Sequence, residues 1–206
     1  MSNSSYLPPI IAIGGEFESG KDAVGSVLVR TYGYTRVAFG DFVKDACVQL
    51  LSGSLYPPEF PGDIQEIILA HRNDPHAVNR KPTAPAMRRL LQFVGTDWYR
   101  VRNPNHWVGE FDNYVRPILA SGGRVAAPDM RFDNEGAYAA THGGEEWVVV
   151  RPDLEPSPYR EHVSERSYTR TPHCVINNDG SLGLLVCRVV DALQDAQARY
   201  LGQLAA

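Results

Sequence analysis

Gly15-Glu16-Phe17-Glu18-Ser19-Gly20-Lys21 places two glycines four residues apart and a lysine directly after the second, the spacing of a loop that wraps a phosphate. The glycines let the backbone curl so that successive N–H groups face one point, and the positive end of a following helix adds to the attraction. Lys21 would then reach the β- and γ-phosphates of a nucleoside triphosphate as a point charge. Asp22 and Ala23 complete the candidate loop, with Asp22 standing where a hydroxyl residue usually holds Mg²⁺. A carboxylate is a good ligand for that hard cation, and it also suits the first turn of any helix, so both readings stand.

The loop needs a strand before it and a helix after it. Ile10-Ile11-Ala12-Ile13 has the apolar continuity of a buried strand, and Ala23, Val24, Val27 and Leu28 recur at helical spacing. Tyr34 to Phe39 reads as a second strand ending at Gly40-Asp41, where Asp41 caps a helix with Phe42, Val43, Ala46, Cys47, Leu50 and Leu51 on its apolar face. Lys44, one turn in, is either a contact to an acceptor phosphate or a solvated lysine. Ser52 to Gly62 is a loop, and Asp63 with Glu66 has the form of a capping box for a short helix carrying Ile64, Ile67 and Ile68.

Thr83-Ala84-Pro85 is a helix start and Gly95 a stop, with Met87, Leu90, Leu91 and Val94 as the buried stripe. That leaves Arg88, Arg89 and Gln92 on other faces, and Thr96, Asp97, Trp98, Tyr99, Arg100 and Arg102 beyond the stop. Guanidinium forks, an amide and aromatic rings so close together suit a nucleotide; a solvated helix face with packed aromatics is the other reading. Asn105 caps a helix whose buried side holds Trp107, Val108, Phe111, Val115 and Ile118. Gly123 to Pro128 is a strand, and Asp129 and Arg131 fall at its C-terminal end, the edge where open α/β sheets bind ligands. There they would serve as a metal-orienting carboxylate and a phosphate clamp, or as a structural ion pair.

Asp133 begins a helix that closes near Gly143, and Glu146 to Arg151 is the next strand. Pro152 to Pro172 lacks periodicity and carries Arg160, His162, Ser164, Glu165, Arg166 and Arg170, the make-up of a lid that closes on phosphates, or of a plain surface loop. Cys174-Val175-Ile176 is a final strand, Asn177-Asn178-Asp179-Gly180 a turn, and a closing helix from about Ser181 packs Leu184, Leu185, Val189, Val190 and Leu193. The alternation predicts an α/β fold: a doubly wound, mainly parallel five-stranded sheet with helices on both faces. Residues 1–206 are expected to form a single domain, with an acceptor-binding excursion at about 52–110 and a lid at about 152–172.

Across 206 residues the formal charge is −4 with no block of like charges, which argues against a protein that grips a nucleic-acid backbone. Cys47, Cys174 and Cys187 sit in apolar periodic segments without metal-type spacing and read as buried thiols of a reducing compartment. Met1 to Pro9 lacks the basic region of a signal peptide, and no apolar run approaches the ~20 residues of a membrane span. The expectation is a cytoplasmic protein, with a homodimer left open.

Ser19-Gly20-Lys21-Asp22, the run from Arg88 to Asp97, Trp107, Asp129 to Glu135, His162 to Glu165 and Asn177 to Gly180 together resemble phage deoxynucleoside monophosphate kinases, in order from Ile10 to about Leu193. The resemblance implies a P-loop kinase fold and transfer of the γ-phosphoryl group of ATP to a dNMP in the host cytoplasm. It implies that Gly15 to Ala23 bind ATP, that Mg²⁺ is met by Asp22 and Asp129, and that Lys21, Arg131, Arg160 and Arg166 are catalytic. Asp41, Lys44, Arg88, Gln92, Thr96, Arg100, Trp107, Asp129, Arg131 and Glu165 would seat the dNMP. Glu16 and Glu18 stand where related loops often carry basic residues and are expected to point outward, and Ala23 lacks a frequent hydroxyl. Two alternatives remain: a kinase for another small phosphorylated acceptor such as phosphomevalonate, and a nucleotide-binding protein that has lost catalysis.

Overall fold

Ile10–Gly14 form β1, buried along its whole length because a strand inside a parallel sheet has no solvent face. The structure, a computed structural model, describes residues 7–53, 56–154 and 168–204. Beside β1 lie β2 (Thr35–Arg36), β3 (Val125–Ala127), β4 (Glu145–Val150) and β5 (Cys174–Asn177), all parallel, in the order β2-β3-β1-β4-β5. The crossovers from β1 to β2, from β2 to β3 and from β3 to β4 each carry at least one helix, as suits parallel pairing. The winding reverses at β1, so the loop after β1 opens at the switch point of the sheet. The fold class is the α/β, five-stranded parallel architecture that the alternation predicts.

The described residues of Met1–Ala38 and Phe111–Ala206 make one compact unit, and Phe39–Glu110 a second. In the first, Ile11 and Ile13 of β1 and Trp147 and Val149 of β4 pack with α1 (Lys21–Tyr32), through Val24 and Leu28, and with the closing helix, through Leu185, Val189 and Leu193. The second unit has its own core of Cys47, Leu51, Phe60, Ile64, Ile68, Met87, Leu90, Phe93, Val94 and Trp107. It is built from α2 (Phe39–Ser52), α3 (Gly62–His71), α4 (Pro85–Gln92), a π-helical stretch (Phe93–Trp98) and α5 (Tyr99–Arg102). The helix α6 (His106–Ala120) leads back to the sheet, followed by α7 (Asp133–Thr141) and finally α8 (Leu182–Leu204).

Several local expectations are corrected. The second strand is only two residues long, and α2 already begins at Phe39, so Asp41 lies inside its first turn instead of capping it. Pro61, not Asp63, is the N-cap of α3, and no side-chain cap bond forms there. Gly95 does not stop α4; the chain continues helically to Arg102, because Gly95 packs its bare Cα against Val43, where an added Cβ would lie 3.2 Å from Cγ1. Leu184 is exposed, and Ala192 and Ala196 fill the stripe of α8 instead. Of the three thiols only Cys47 is fully buried, and burial pushes it up to about 12; Cys174 is half-buried and Cys187 exposed. Among the described residues, no helix is long and apolar enough to cross a membrane.

Glu145 and Glu146, adjacent on β4, point to opposite faces of the sheet as pleating requires. Glu145 accepts from Arg199 of α8 at 2.9 Å through both oxygens and from Trp147 Nε1 at 2.7 Å. Glu146, fully buried against Gly136 of α7, accepts from Arg170 through both oxygens at 2.8 Å and from the Tyr168 hydroxyl at 3.0 Å. Arg170, read from the sequence with the lid arginines, is therefore a structural anchor.

Asp133 makes a second tie to the same short segment, accepting from Thr169 N and Thr169 Oγ1, each at 2.6 Å, and from Arg170 N at 3.3 Å. Desolvation works to raise its carboxyl, yet the hydrogen bonds from Thr169 and then Arg170 hold it below the usual carboxylate range. A depressed folded-state value gives stability that is present above the unfolded value of about 3.9 and is lost as pH falls through the folded one. Between about pH 4 and about pH 2 the melting temperature should thus fall more steeply for the wild type than for Asp133→Asn. Parallel melting curves for the two proteins would contradict this.

Candidate phosphate-binding site

The loop leaves β1 through Gly14 and Gly15 and enters α1 at Lys21. Gly15 has φ 136°, and a Cβ there would collide with the Val149 carbonyl and lie 2.8 Å from Ser19 Oγ. Gly20, the N-cap of α1, has φ 107°. Both glycines of the motif are thus demanded by backbone angle and by space. Ser19 is 1% exposed, and the exposed Glu16 and Glu18 point outward as expected. Glu18 itself adopts φ 62°, a left-handed conformation rare outside glycine, so the tight curl extends through the middle of the loop.

Lys21 Nζ folds over the loop and donates to the Gly15 carbonyl at 2.8 Å and the Glu16 carbonyl at 2.5 Å. Its ammonium thus lies over the turn that the loop makes, at the N-terminal end of a 12-residue helix whose dipole favours an anion. Asp22 is exposed in the first turn of α1.

The end of β3 meets the same loop. Met130 N donates to the Ile13 carbonyl at 3.0 Å, and Gly14 lies close beneath Met130, where an added Cβ would stand 2.9 Å from Cε and 3.3 Å from the Met130 carbonyl oxygen. This fixes Asp129 and Arg131, each half-buried, on either side of a residue that touches β1. The turn is braced from α7, where the Glu135 carboxylate accepts from the backbone amides of Arg131 at 2.7 Å and Phe132 at 3.1 Å. The sequence missed this brace, although an acidic residue three positions after the N-cap, here Phe132, is its usual sign.

In the second unit, Arg88 and Gln92 stand four apart on α4 and so share a face, while Thr96 falls in the π-helical stretch. Arg89 is committed to Asp63 at 3.0 Å and Asp97 at 3.3 Å, and Lys44 pairs with Asp41 at 3.1 Å. Arg100 donates to the Pro104 carbonyl at 3.2 Å. Trp107, expected among the acceptor-binding residues, is 2% exposed and belongs to the core. Its Nε1 donates to the Gly95 carbonyl at 2.7 Å, a carbonyl made available because the Tyr99 amide bonds one residue further back, to Val94.

This pairing stabilises a π-turn, a form that occurs mostly as single-turn bulges. Trp107→Phe would keep most of the ring and leave a buried carbonyl without its donor, so urea unfolding should show a loss of about 1–3 kcal/mol. A loss within about 0.5 kcal/mol, the range of a neutral surface change, would mean that the bond does not hold the turn. Arg160, Glu165 and Arg166, with His162 and Ser164, lie outside the described residues.

Among the described residues no group of three or more His, Cys, Asp or Glu side chains could hold a metal ion. Asp22 and Asp129 are single carboxylates, which is the donor set expected of a metal carried mainly by substrate phosphates and water.

The parallel sheet and its glycine-lysine loop define an α/β protein with a candidate phosphate-binding loop at the switch point of the sheet. No family model matches the chain. A protein of Acanthamoeba polyphaga mimivirus, provisionally named a deoxynucleotide monophosphate kinase, is 22% identical over 197 residues, spanning 91% of this chain and 97% of the relative. Among solved structures, dephospho-CoA kinase from Campylobacter jejuni matches with a TM-score of 0.37 and 9% identity over 91% of this chain and 97% of its own, a likeness too slight to bear on fold or substrate.

Proposed function

We propose that the chain transfers the γ-phosphoryl group of ATP to a deoxynucleoside monophosphate, giving a dNDP and ADP. The observation that carries this reading is the position of Lys21 Nζ over the carbonyls of Gly15 and Glu16, at the head of α1. When triphosphate enters, the ammonium would exchange these carbonyls for phosphate oxygens and follow the migrating group. The loop from Gly15 to Lys21 would hold the donor phosphates, and Arg131 would neutralise charge on the transferred group from the end of β3. Asp22 and Asp129 would hold Mg²⁺ brought in with the nucleotide, which would supply positive charge against the charge that develops on the phosphates. Little covalent chemistry is needed, because phosphoryl transfer depends on alignment and charge stabilisation.

Support for a nucleotide acceptor comes from the residue types on the second unit, Arg88, Gln92, Thr96 and Arg100, and from the provisional name of the viral relative. Arg160 and Arg166 are proposed to close over the transition state, and Glu165 to contact the acceptor. A coupled ADP-release assay with ATP and Mg²⁺ tests the reading against dTMP, dGMP, dCMP, dAMP, phosphomevalonate and a blank without acceptor. Turnover that depends on one or more dNMPs is expected. Turnover with phosphomevalonate alone would replace the substrate, and ATP binding without any transfer would replace the activity.

A further inference from the structure

Asn178 lies just after β5, in the turn that leads into α8, and the phosphoryl transfer described above makes no use of it. Its side-chain amide donates to the Ser19 carbonyl at 2.8 Å, a contact between residues 159 apart in sequence. Its backbone amide donates to the Val150 carbonyl at 2.7 Å, so the residue is fixed to the end of β4 while it grips the phosphate loop. The turn is held in its place from α8, where Arg188 donates to Asp179 Oδ1 at 2.6 Å and also to the Asn177 carbonyl. On the loop side, a Cβ at residue 20 would lie 2.5 Å from Asn178 Nδ2, so glycine is required there for this contact as well as for its φ of 107°.

In a trans peptide the carbonyl of one residue and the N–H of the next point in opposite directions. A donor that holds the Ser19 carbonyl from one side therefore turns the Gly20 N–H to the other, and it does so one residue before Lys21. We propose that Asn178 is a positioning residue for the donor phosphates. It holds the Ser19–Gly20 peptide in the orientation that presents the loop amides and Lys21 to an anion, without touching the reacting atoms. This inference rests on reading the loop as the donor site, and it concerns binding of the donor, whatever the acceptor.

Asn178→Asp keeps the shape of the side chain and sets a carboxylate oxygen against the Ser19 carbonyl, so the peptide should turn over; Asn178→Ala only removes the hold. Isothermal titration with MgATP, and with inorganic pyrophosphate as a probe that has no base, is expected to show a loss of about 5–10-fold for Asn178→Ala, the worth of one hydrogen bond. Asn178→Asp should lose about 30–100-fold, because a charged group left facing an acceptor costs more. That order should persist at about 0.5 M salt, where through-space repulsion of the anion is screened. A packing role alone predicts the reverse, with the isosteric Asp mild and Ala worse, and either that order or wild-type binding by Asn178→Asp would overturn the proposal. If the wild type binds MgATP but phosphorylates no dNMP, the proposed function falls and this inference stands. If the wild type does not bind MgATP, both fall.

Discussion

Lys21→Ala is expected to lower turnover by about 10²–10³-fold, the usual loss when a major electrostatic stabiliser of a transition state is removed. In transition-state terms this is about 3–4 kcal/mol. The side chain is half-buried and donates to the Gly15 and Glu16 carbonyls, which are backbone groups of the loop. Alanine is a better helix former than lysine at the head of α1, so the fold should lose little, within about 0.5 kcal/mol. The measurement is steady-state turnover with saturating ATP beside a melting curve of the same sample. Low turnover with an unchanged melt supports the role. A variant that turns over at nearly the wild-type rate would remove Lys21 from the chemistry, and a variant that loses rate and stability together would make it structural. Lys21→Arg should not restore the rate, because a planar fork cannot follow a single migrating oxygen cluster as a compact ammonium does.

The largest expected effect on stability is at Arg170. Glu146 has no exposure to solvent, whereas the Arg170 side chain that pairs with it is 39% exposed. Removing the arginine leaves a buried carboxylate with the Tyr168 hydroxyl and no cation, so Arg170→Ala should cost about 3–5 kcal/mol. For a chain of this length that corresponds to a fall in melting temperature of about 6–20 °C. Glu146→Ala should cost less, about 1–3 kcal/mol, because a half-exposed guanidinium can turn to water while a buried carboxylate cannot. The asymmetry between the two single variants is the test. If Arg170→Ala melts within about 2 °C of the wild type, the pair contributes nothing net and the segment from Tyr168 to Arg170 is held by other contacts.

Sequence and structure agree most closely where chemistry and geometry are local. The phosphate loop needs its glycines four residues apart, its lysine next and a strand before it, and each of these constraints acts within a dozen residues. The same holds for β1, whose apolar run is buried on both faces, and for the start of α4 at Pro85, where the missing amide costs nothing. The Asp129-Met130-Arg131 turn was legible from its position at a strand end, since parallel strands bring their C-terminal ends together.

Errors arose where a local signal had a distant competitor. Gly95 has the chemistry of a helix stop, but Val43 on one side and Trp107 on the other hold it inside a continuing helix. Trp107, which the resemblance sets against the dNMP, lies instead where its helical spacing puts it, in the core of the second unit. Arg170 has the look of a phosphate ligand, and a carboxylate 24 residues earlier claims it. Two adjacent glutamates opening a strand gave no hint that both would be buried, because each is made tolerable only by an arginine from elsewhere in the chain.

The sequence by itself determined the order of strands and helices along the chain, and with it the parallel sheet and the phosphate loop at its switch point, since periodicity, turn chemistry and glycine spacing are short-range properties. Only the tertiary structure decided which arginines are anchors and which asparagine grips the loop. Those assignments depend on partners brought close by folding, and hydrogen bonds at 2.8 Å between residues 159 apart leave no mark on the residues between them.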